Sequence, residues 1–509
     1  MGFSKTGLKD SFRSLVRSEV WLCLSKVGNF LAERGIESYL VGGFVRDVLL
    51  GRDTADIDIA LGQDALEVAP QVATALGGKY VLLDRVNRVG RVVLADEGAT
   101  SSRFQLEFDF STLIGSIEQD LARRDFTIDA MAVNLSQLRG EAFVAQIIDP
   151  FHGLGDLRQN IVRVVAETAF TSDAARLLRA VRLAAELGFT IDKKTEALIQ
   201  HYSHLLANVA GERVREELLR LLAVPGAGQF LAYLDELGLL AVLFPELVGT
   251  KGVEQPKEHF WNVFEHSLKT VVAVEFLLRQ GDWEYASKDI LAAVPWSAAL
   301  AQHFSQEVSG GSNRMLLLKL AALLHDISKP QTKSIEAGGR VRFLGHAKEG
   351  AAVAAKILER LRFSGKEIKL VETEVNYHLR PVQMSQEGLP TRRAIYRYFR
   401  DTGEAGIDIL FLSLADHLAT RGPNLDLASF KEHARLIDYV IGQHFEQENI
   451  VHPPKLVDGY DIINIFHVSP GPKIGEILEA VREAQASGEV TSREEALSLI
   501  KLILASSPG

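Results

Sequence analysis

The 509-residue chain is 47% hydrophobic and 24% charged, the make-up of a folded globular protein with room for several domains, and too apolar for a disordered one. Its 56 basic residues against 66 acidic ones give a formal net charge of −10, so no global basic excess announces a nucleic-acid partner and any such contact must be local. A single cysteine, Cys23, excludes an internal disulfide framework and a cysteine-rich zinc site, fits a reducing cytoplasm, and is expected inside the core.

The N-terminal segment lacks the long apolar core of a signal peptide. The most apolar later run, Leu316 to Ile327, is interrupted by Lys319, His325 and Asp326, so no membrane span is expected. Gly2 and Thr6 match a loose myristoylation pattern, but no polybasic segment follows to turn one acyl chain into an anchor. Ser11 to Gly35 predicts a helix with Phe12, Leu15, Val16, Val20 and Leu22 on its apolar face.

The segment ESYLVGGFVRDVLLGRDTADIDIAL, Glu37 to Leu61, predicts strand, glycine turn, short helix and strand. Alternation along the second strand puts Asp56 and Asp58 on one face while Ile57 and Ile59 enter the core. Two such carboxylates repel unless a cation lies between them, and hard oxygen ligands suit Mg2+ held together with substrate phosphates. Gly42 and Gly43, lacking Cβ atoms, let backbone N–H groups approach a triphosphate.

Further on, Asp64 to Leu76 predicts a helix, and Lys79 to Leu83, Arg91 to Ala95 and Phe104 to Phe110 predict strands, giving a mixed sheet with a flanking helix. In the last strand Gln105, Glu107 and Asp109 alternate against Leu106 and Phe108, so both acids share a face. DLARRDFTIDAMAVNL, Asp120 to Leu135, carries Arg123 and Arg124, whose guanidinium groups suit bidentate phosphate binding. Asp149 to Asp156, with one proline and two glycines, predicts a loop.

Gly-Gly-x-x-Arg-Asp followed by Asp-x-Asp resembles the head of the polymerase-β-like nucleotidyltransferases, and within them the bacterial-type, class II tRNA CCA-adding enzymes and poly(A) polymerases. The resemblance implies that Asp56, Asp58 and, in preference to Glu107, Asp109 are the catalytic carboxylates. It assigns Gly42, Gly43 and Arg46 of the first motif, and Arg123, Arg124, Asp125 and Asp129 of the second, to the incoming nucleotide. Asp129 stands where the family pattern has Asn; both can accept a hydrogen bond, but only Asn can donate one to a ribose.

From Ala169 the sequence turns helical. AFTSDAARLLRAVRLAAELGF predicts one helix with Asp173, Arg176, Arg179 and Arg182 at successive i,i+3 steps and Leu177, Leu178, Val181 and Ala184 on the buried side. The stretch resembles the Glu-Asp-x-x-Arg motif of class II enzymes, with Ser172 in place of Glu, and Asp173, Arg176, Arg179 and Arg182 are expected at the incoming nucleotide. The Asp and Arg would then read the Watson–Crick edges of CTP and ATP without a template. VREELLRLL, after Gly211-Glu212-Arg213, resembles the next neck motif.

His266, the His325-Asp326 pair, His346, His378 and Asp416 together resemble the HD phosphohydrolase pattern, which implies one or two divalent-metal sites in a helical bundle. Imidazole and carboxylate ligands suit Mn2+, Fe, Ni2+ or Mg2+. The alternative is a scaffold kept for packing.

The expected architecture is multidomain α+β. It comprises a nucleotidyltransferase head at 1–150, a nucleotide-selecting helical neck at 151–250, an HD domain at 251–422 and a helical RNA-binding tail at 423–509. The implied activity is Mg2+-dependent addition of CCA from CTP and ATP to the 3′ end of tRNA in the cytoplasm, with no membrane and no obligate protein partner. In that mechanism Asp56 and Asp58 hold two Mg2+ ions, one at the RNA 3′-hydroxyl and one at the triphosphate. A poly(A) polymerase, an enzyme restricted to A or to CC, and an HD phosphohydrolase with a remnant head stay open as alternatives.

Overall fold

The computed structural model describes residues 15–54, 56–95, 105–138, 143–384, 388–446 and 454–506. The chain forms two compact units, the first ending at Val209 and the second beginning at Ala210, a division that falls within 151–250.

In the first unit, helix α1 (Ser18–Glu33) buries Val20, Leu24, Val27, Phe30 and Leu31. Leu22, expected on that stripe, is exposed, because a residue two positions from Val20 points to the other side of a helix. Cys23 is half-buried rather than enclosed. Phe12, and the first residues of the predicted helix with it, lie outside the described residues.

The head is a six-stranded sheet of order β3-β4-β5-β2-β1-β6. Its strands are β1 (Ser38–Val41), β2 (Asp56–Leu61), β3 (Lys79–Asp84), β4 (Val89–Ala95), β5 (Gln105–Thr112) and β6 (Ala132–Asn134). Among the described residues of this sheet only the β2–β5 pairing is parallel, with Asp56 opposite Glu107 and Asp58 opposite Asp109. Ile57, Ile59, Phe108 and Phe110 are fully enclosed, so the predicted alternation holds and the acids are left on the opposite face. Phe104 lies outside the described residues. Helix α2 (Gly43–Leu49) joins β1 to the loop before β2. Helix α3 (Ala65–Leu76) starts where Asp64 accepts from the Leu66 N–H and stops at Gly77, the side-chain cap and left-handed glycine that end helices in general.

The long helix predicted from Ala169 is broken. A short helix, Thr168–Ser172, ends at Asp173, whose backbone is extended (φ −152°, ψ 99°), and helix α4 (Arg176–Leu187) follows. The Asp173 side chain accepts from the Ala175 N–H at 3.2 Å. An aspartate that bonds its own neighbouring backbone competes with helical continuation and favours a helix start.

The second unit is mainly helical, with two short two-stranded ribbons between helices. Its bundle contains α5 (Val263–Leu277), α6 (Arg314–Leu324), α7 (His346–Arg360), α8 (Gly365–Tyr377) and α9 (Gly406–Arg421). The polar interruption at Lys319 lies inside it, with no exposed surface. Its ammonium donates to Glu275 at 2.9 Å and to the Leu222 carbonyl at 2.6 Å. Glu275 also accepts from the N–H groups of Ala227 and Gly228. Towards the C-terminus Val457, Ile462, Ile477, Val481 and Ile500 form a separate small core. Among the described residues no helix is long and apolar enough to cross a membrane.

Candidate active site and metal centre

The acid face of the head is built across three adjacent strands. Asp58 on β2 faces Asp109 on β5, and Asp109 in turn faces Arg91 on β4. Burial, then the neighbouring Asp56 and Asp109, push the Asp58 carboxyl up to about 6 against the pull of Arg124. Like charges crowded without solvent favour a cation among them. Arg91 takes part of that role. Its guanidinium donates to both oxygens of Asp109 at 2.7 and 2.8 Å, also bonds Glu107, and lies 3.8 Å from Asp56.

Gly42, at the turn from β1 into α2, has φ 74°. A Cβ there would lie 2.8 Å from Nη1 of Arg124 and 2.9 Å from Oδ2 of Asp58. Only glycine fits this conformation and this approach, so backbone, carboxylate and guanidinium meet at one point. Arg124 and Arg123 are both anchored by Asp120, which is wholly enclosed: Arg123 donates at 2.9 and 2.5 Å, and Arg124 stands 3.5 Å away. Nε of Arg124 is buried with no hydrogen-bond partner.

Arg46 is engaged by its neighbours, donating to Asp47 at 2.9 and 3.0 Å and to Asp129 at 2.6 Å. Asp129 therefore has a charge partner that an asparagine would lack, and its second oxygen, Oδ2, is buried without a hydrogen-bond partner. Gly43 packs beside Arg46: a Cβ there would meet Nη2 at 3.2 Å.

Arg179 reaches back from α4 to Asp125 at 3.0 Å. Burial works against ionisation of Asp125, but Arg179 and Arg176 outweigh it and hold its carboxyl below the usual range. Asp173 and Arg176 remain neighbours despite the helix break, 3.9 Å apart, and Arg176 also donates to the Ala169 carbonyl at 3.3 Å. The structure thus brings Asp125, Asp173, Arg176 and Arg179 together. Arg182 is turned inward, 2% exposed, with Glu186 2.5 Å away.

In the second unit all six residues of the HD set converge. His266, His325 and Asp416 form one triad with ligand atoms within 4.8 Å of one another, and Asp326, His346 and His378 form another. The Nδ1 atoms of His325, His346 and His378 lie 2.8, 2.6 and 2.7 Å from the carbonyls of Ala322, Phe343 and Val375. A carbonyl only accepts, so each Nδ1 carries a proton and each Nε2 is the ring atom turned inward, the one available for metal ligation. Burial holds His378 down at about 3, and Asp416 is kept ionised by His266 although burial opposes it. Oδ1 of Asp326 is buried with no hydrogen-bond partner, 3.3 Å from Nε2 of His346. Inward-facing Nε2 atoms, ionised carboxylates and an orphaned buried oxygen fit divalent metal ions. A cavity of about 400 Å3 opens on this cluster, lined in part by His259, Lys329, Arg342, Phe343, His417 and Arg421.

Sequence reasoning missed Arg91, Asp120 and Lys329, whose ammonium is 2.6 Å from Asp326. The i,i+3 spacing of Asp326 and Lys329, and of Asp120 and Arg123, was the available signal. Arg91 had none, because its partners come from the strand order.

Family profiles match three stretches: the poly A polymerase head domain at residues 38–163, the probable RNA- and SrmB-binding site of polymerase A at 188–249, and the HD domain at 263–421. The A-adding tRNA nucleotidyltransferase of Deinococcus radiodurans is 31% identical over 92% of this chain and 96% of its own. The CC-adding tRNA nucleotidyltransferase of Thermus thermophilus is 32% identical over 91% of this chain and 93% of its own. Among solved structures, a CCA-adding enzyme in its apo form superposes with a TM-score of 0.63 at 21% identity, covering 99% of each chain.

Proposed function

The chain belongs to the tRNA nucleotidyltransferase family, and we propose from that premise that it adds C and A residues from CTP and ATP to the 3′ end of tRNA. The observation that carries this is the meeting of Asp58, Gly42 and Arg124 beside Asp109. Asp56, Asp58 and Asp109 would hold divalent cations, which when bound neutralise the triphosphate and acidify the RNA 3′-hydroxyl. Gly42 opens the backbone to the triphosphate, and Arg124, steadied by Asp120, offers it a guanidinium. Asp173 and Arg176 present one acceptor and one donor array to the base edge, a pair suited to reading C and A. Asp125 and Arg179 fix that pair to the head.

Extension of a tRNA ending before CCA, with CTP alone, ATP alone and both, tests the reading. A second reading, addition of CC only or of A only, is favoured by the names of the two relatives matched along nearly the whole chain. The same assay separates them by product length.

The histidine-rich centre supports a separate divalent-metal-dependent hydrolysis of phosphoesters, with Lys329, Arg342 and Arg421 around the cavity as phosphate partners. Changing His325 and Asp326 to Ala should abolish metal-stimulated hydrolysis of a 2′,3′-cyclic phosphate and spare nucleotide addition. A parallel loss of both activities, at matched thermal stability, would refute that separation.

A further inference from the structure

Three strands put Arg91, Asp109 and Asp58 in one line across the sheet, and the neighbouring line places Glu107 between Val93 and Asp56. The Arg91 guanidinium is the group that joins both lines. It forks onto Asp109 through Nε and Nη2, holds Glu107 through Nη1, and stands 3.8 Å from Asp56.

We propose that Arg91 is a positioning residue of the transfer site, selecting Asp109 over Glu107 as the third metal-binding carboxylate and keeping the affinity of the nucleotide-free site for a divalent cation low. The inference rests on the transfer reading above. A fork–fork contact fixes the plane of the Asp109 carboxylate but uses one lone pair on each oxygen, and each oxygen keeps another for a cation. Asp109 is also the more enclosed acid, with a side chain 15% exposed against 35% for Glu107, and it faces Asp58 directly. Glu107, neutralised by the third guanidinium nitrogen, is withdrawn as a competing ligand. The positive charge that does this sits where it repels an incoming cation. A nucleoside triphosphate brings several negative charges and reverses the balance, so cation and nucleotide arrive together.

The test uses the full chain and two readouts. Terbium(III), a hard oxygen-seeking probe, is titrated by luminescence without nucleotide, and the Mg2+ dependence of tRNA extension is measured separately. Asp58→Asn identifies the terbium signal of this site against that of the histidine-rich centre. Arg91→Ala should bind terbium about tenfold more tightly and lower the Mg2+ half-saturation, while kcat at saturating Mg2+ falls because Asp109 is no longer held. Arg91→Lys should keep near-wild-type terbium affinity, since it keeps the charge, and still lose kcat. A merely structural strut would change the melting temperature and leave cation affinity and Mg2+ half-saturation where they were, and that result overturns the proposal.

Should Arg91→Ala not fold, the acids decide. Glu107→Gln should stay within about threefold of wild type, whereas Asp109→Asn should lose about a hundredfold or more. Equal losses would refute the selection of Asp109. Absence of any extension by the wild type would refute the transfer reading, and the terbium titration would still decide the role of Arg91.

Discussion

Replacing Lys319 by Ala would leave Glu275 carrying a charge inside the bundle with its cation gone. The two side chains are 0% and 1% exposed and meet at 2.9 Å, and the ammonium also satisfies the Leu222 carbonyl. Removing one partner of a fully buried pair costs about 3–5 kcal/mol. Glu275 keeps its bonds from the Ala227 and Gly228 N–H groups, which places this case near about 3 kcal/mol. For a unit of this size that is at least about 5 °C in melting temperature. The loss has a functional address, because α5 carries both Glu275 and His266 while α6 carries Lys319 and leads into His325. Differential scanning calorimetry of the full chain should show the lowered transition in the variant, and the double change Lys319→Met with Glu275→Gln should recover part of it, since glutamine removes the stranded charge and keeps an acceptor for the Ala227 and Gly228 N–H groups. A Lys319→Ala protein melting within about 1 °C of wild type would show that the pair contributes nothing and would refute the reasoning.

Gly42→Ala should cut nucleotide addition about a hundredfold or more while costing only about 1 kcal/mol of stability, because the new Cβ enters the space between Arg124 and Asp58 at a left-handed backbone position; steady-state kinetics and thermal melting check both halves. Arg176→Ala should relax discrimination against UTP and GTP by about 1–3 kcal/mol, read as the ratio of kcat/KM values for the four nucleotides. His433, held neutral down to about 4 by burial and by His417, binds its proton in the unfolded chain near pH 6.5 and in the folded one only near 4. Its contribution to stability is therefore intact above pH 6.5 and is lost as pH falls through that window, by up to about 3 kcal/mol. Urea denaturation at pH 7 and pH 4.5 should show a loss of stability at the lower pH that is smaller in His433→Gln.

Much of the acid face could be read from the sequence because strand alternation depends on nothing beyond the strand itself: Asp56 and Asp58 against Ile57 and Ile59, and Glu107 and Asp109 against Phe108. What depended on strand order could not. Arg91 was visible as a strand residue, yet its bond to Asp109 exists only because β4 and β5 pair with those residues in register. The Asp173 to Arg182 stretch shows a different limit. Its spacing suits one helix, but Asp173 satisfies its neighbour's N–H and sets a break before Arg176. Arg182 continues the i,i+3 series of Arg176 and Arg179, yet it is inside with Glu186. The histidine set carried no periodicity of its own and was legible through its resemblance alone. The backbone carbonyls that fix the tautomers of His325, His346 and His378 lie three residues upstream of each, a regularity that emerges only once the backbone is seen.

The most direct test of the account is single-turnover extension of a tRNA ending before CCA by wild type and Asp58→Asn, with tRNA binding measured alongside. The account predicts that the variant binds tRNA with nearly unchanged affinity, since that affinity is spread over many phosphate contacts, and incorporates no nucleotide. Incorporation by Asp58→Asn within about tenfold of wild type would contradict it.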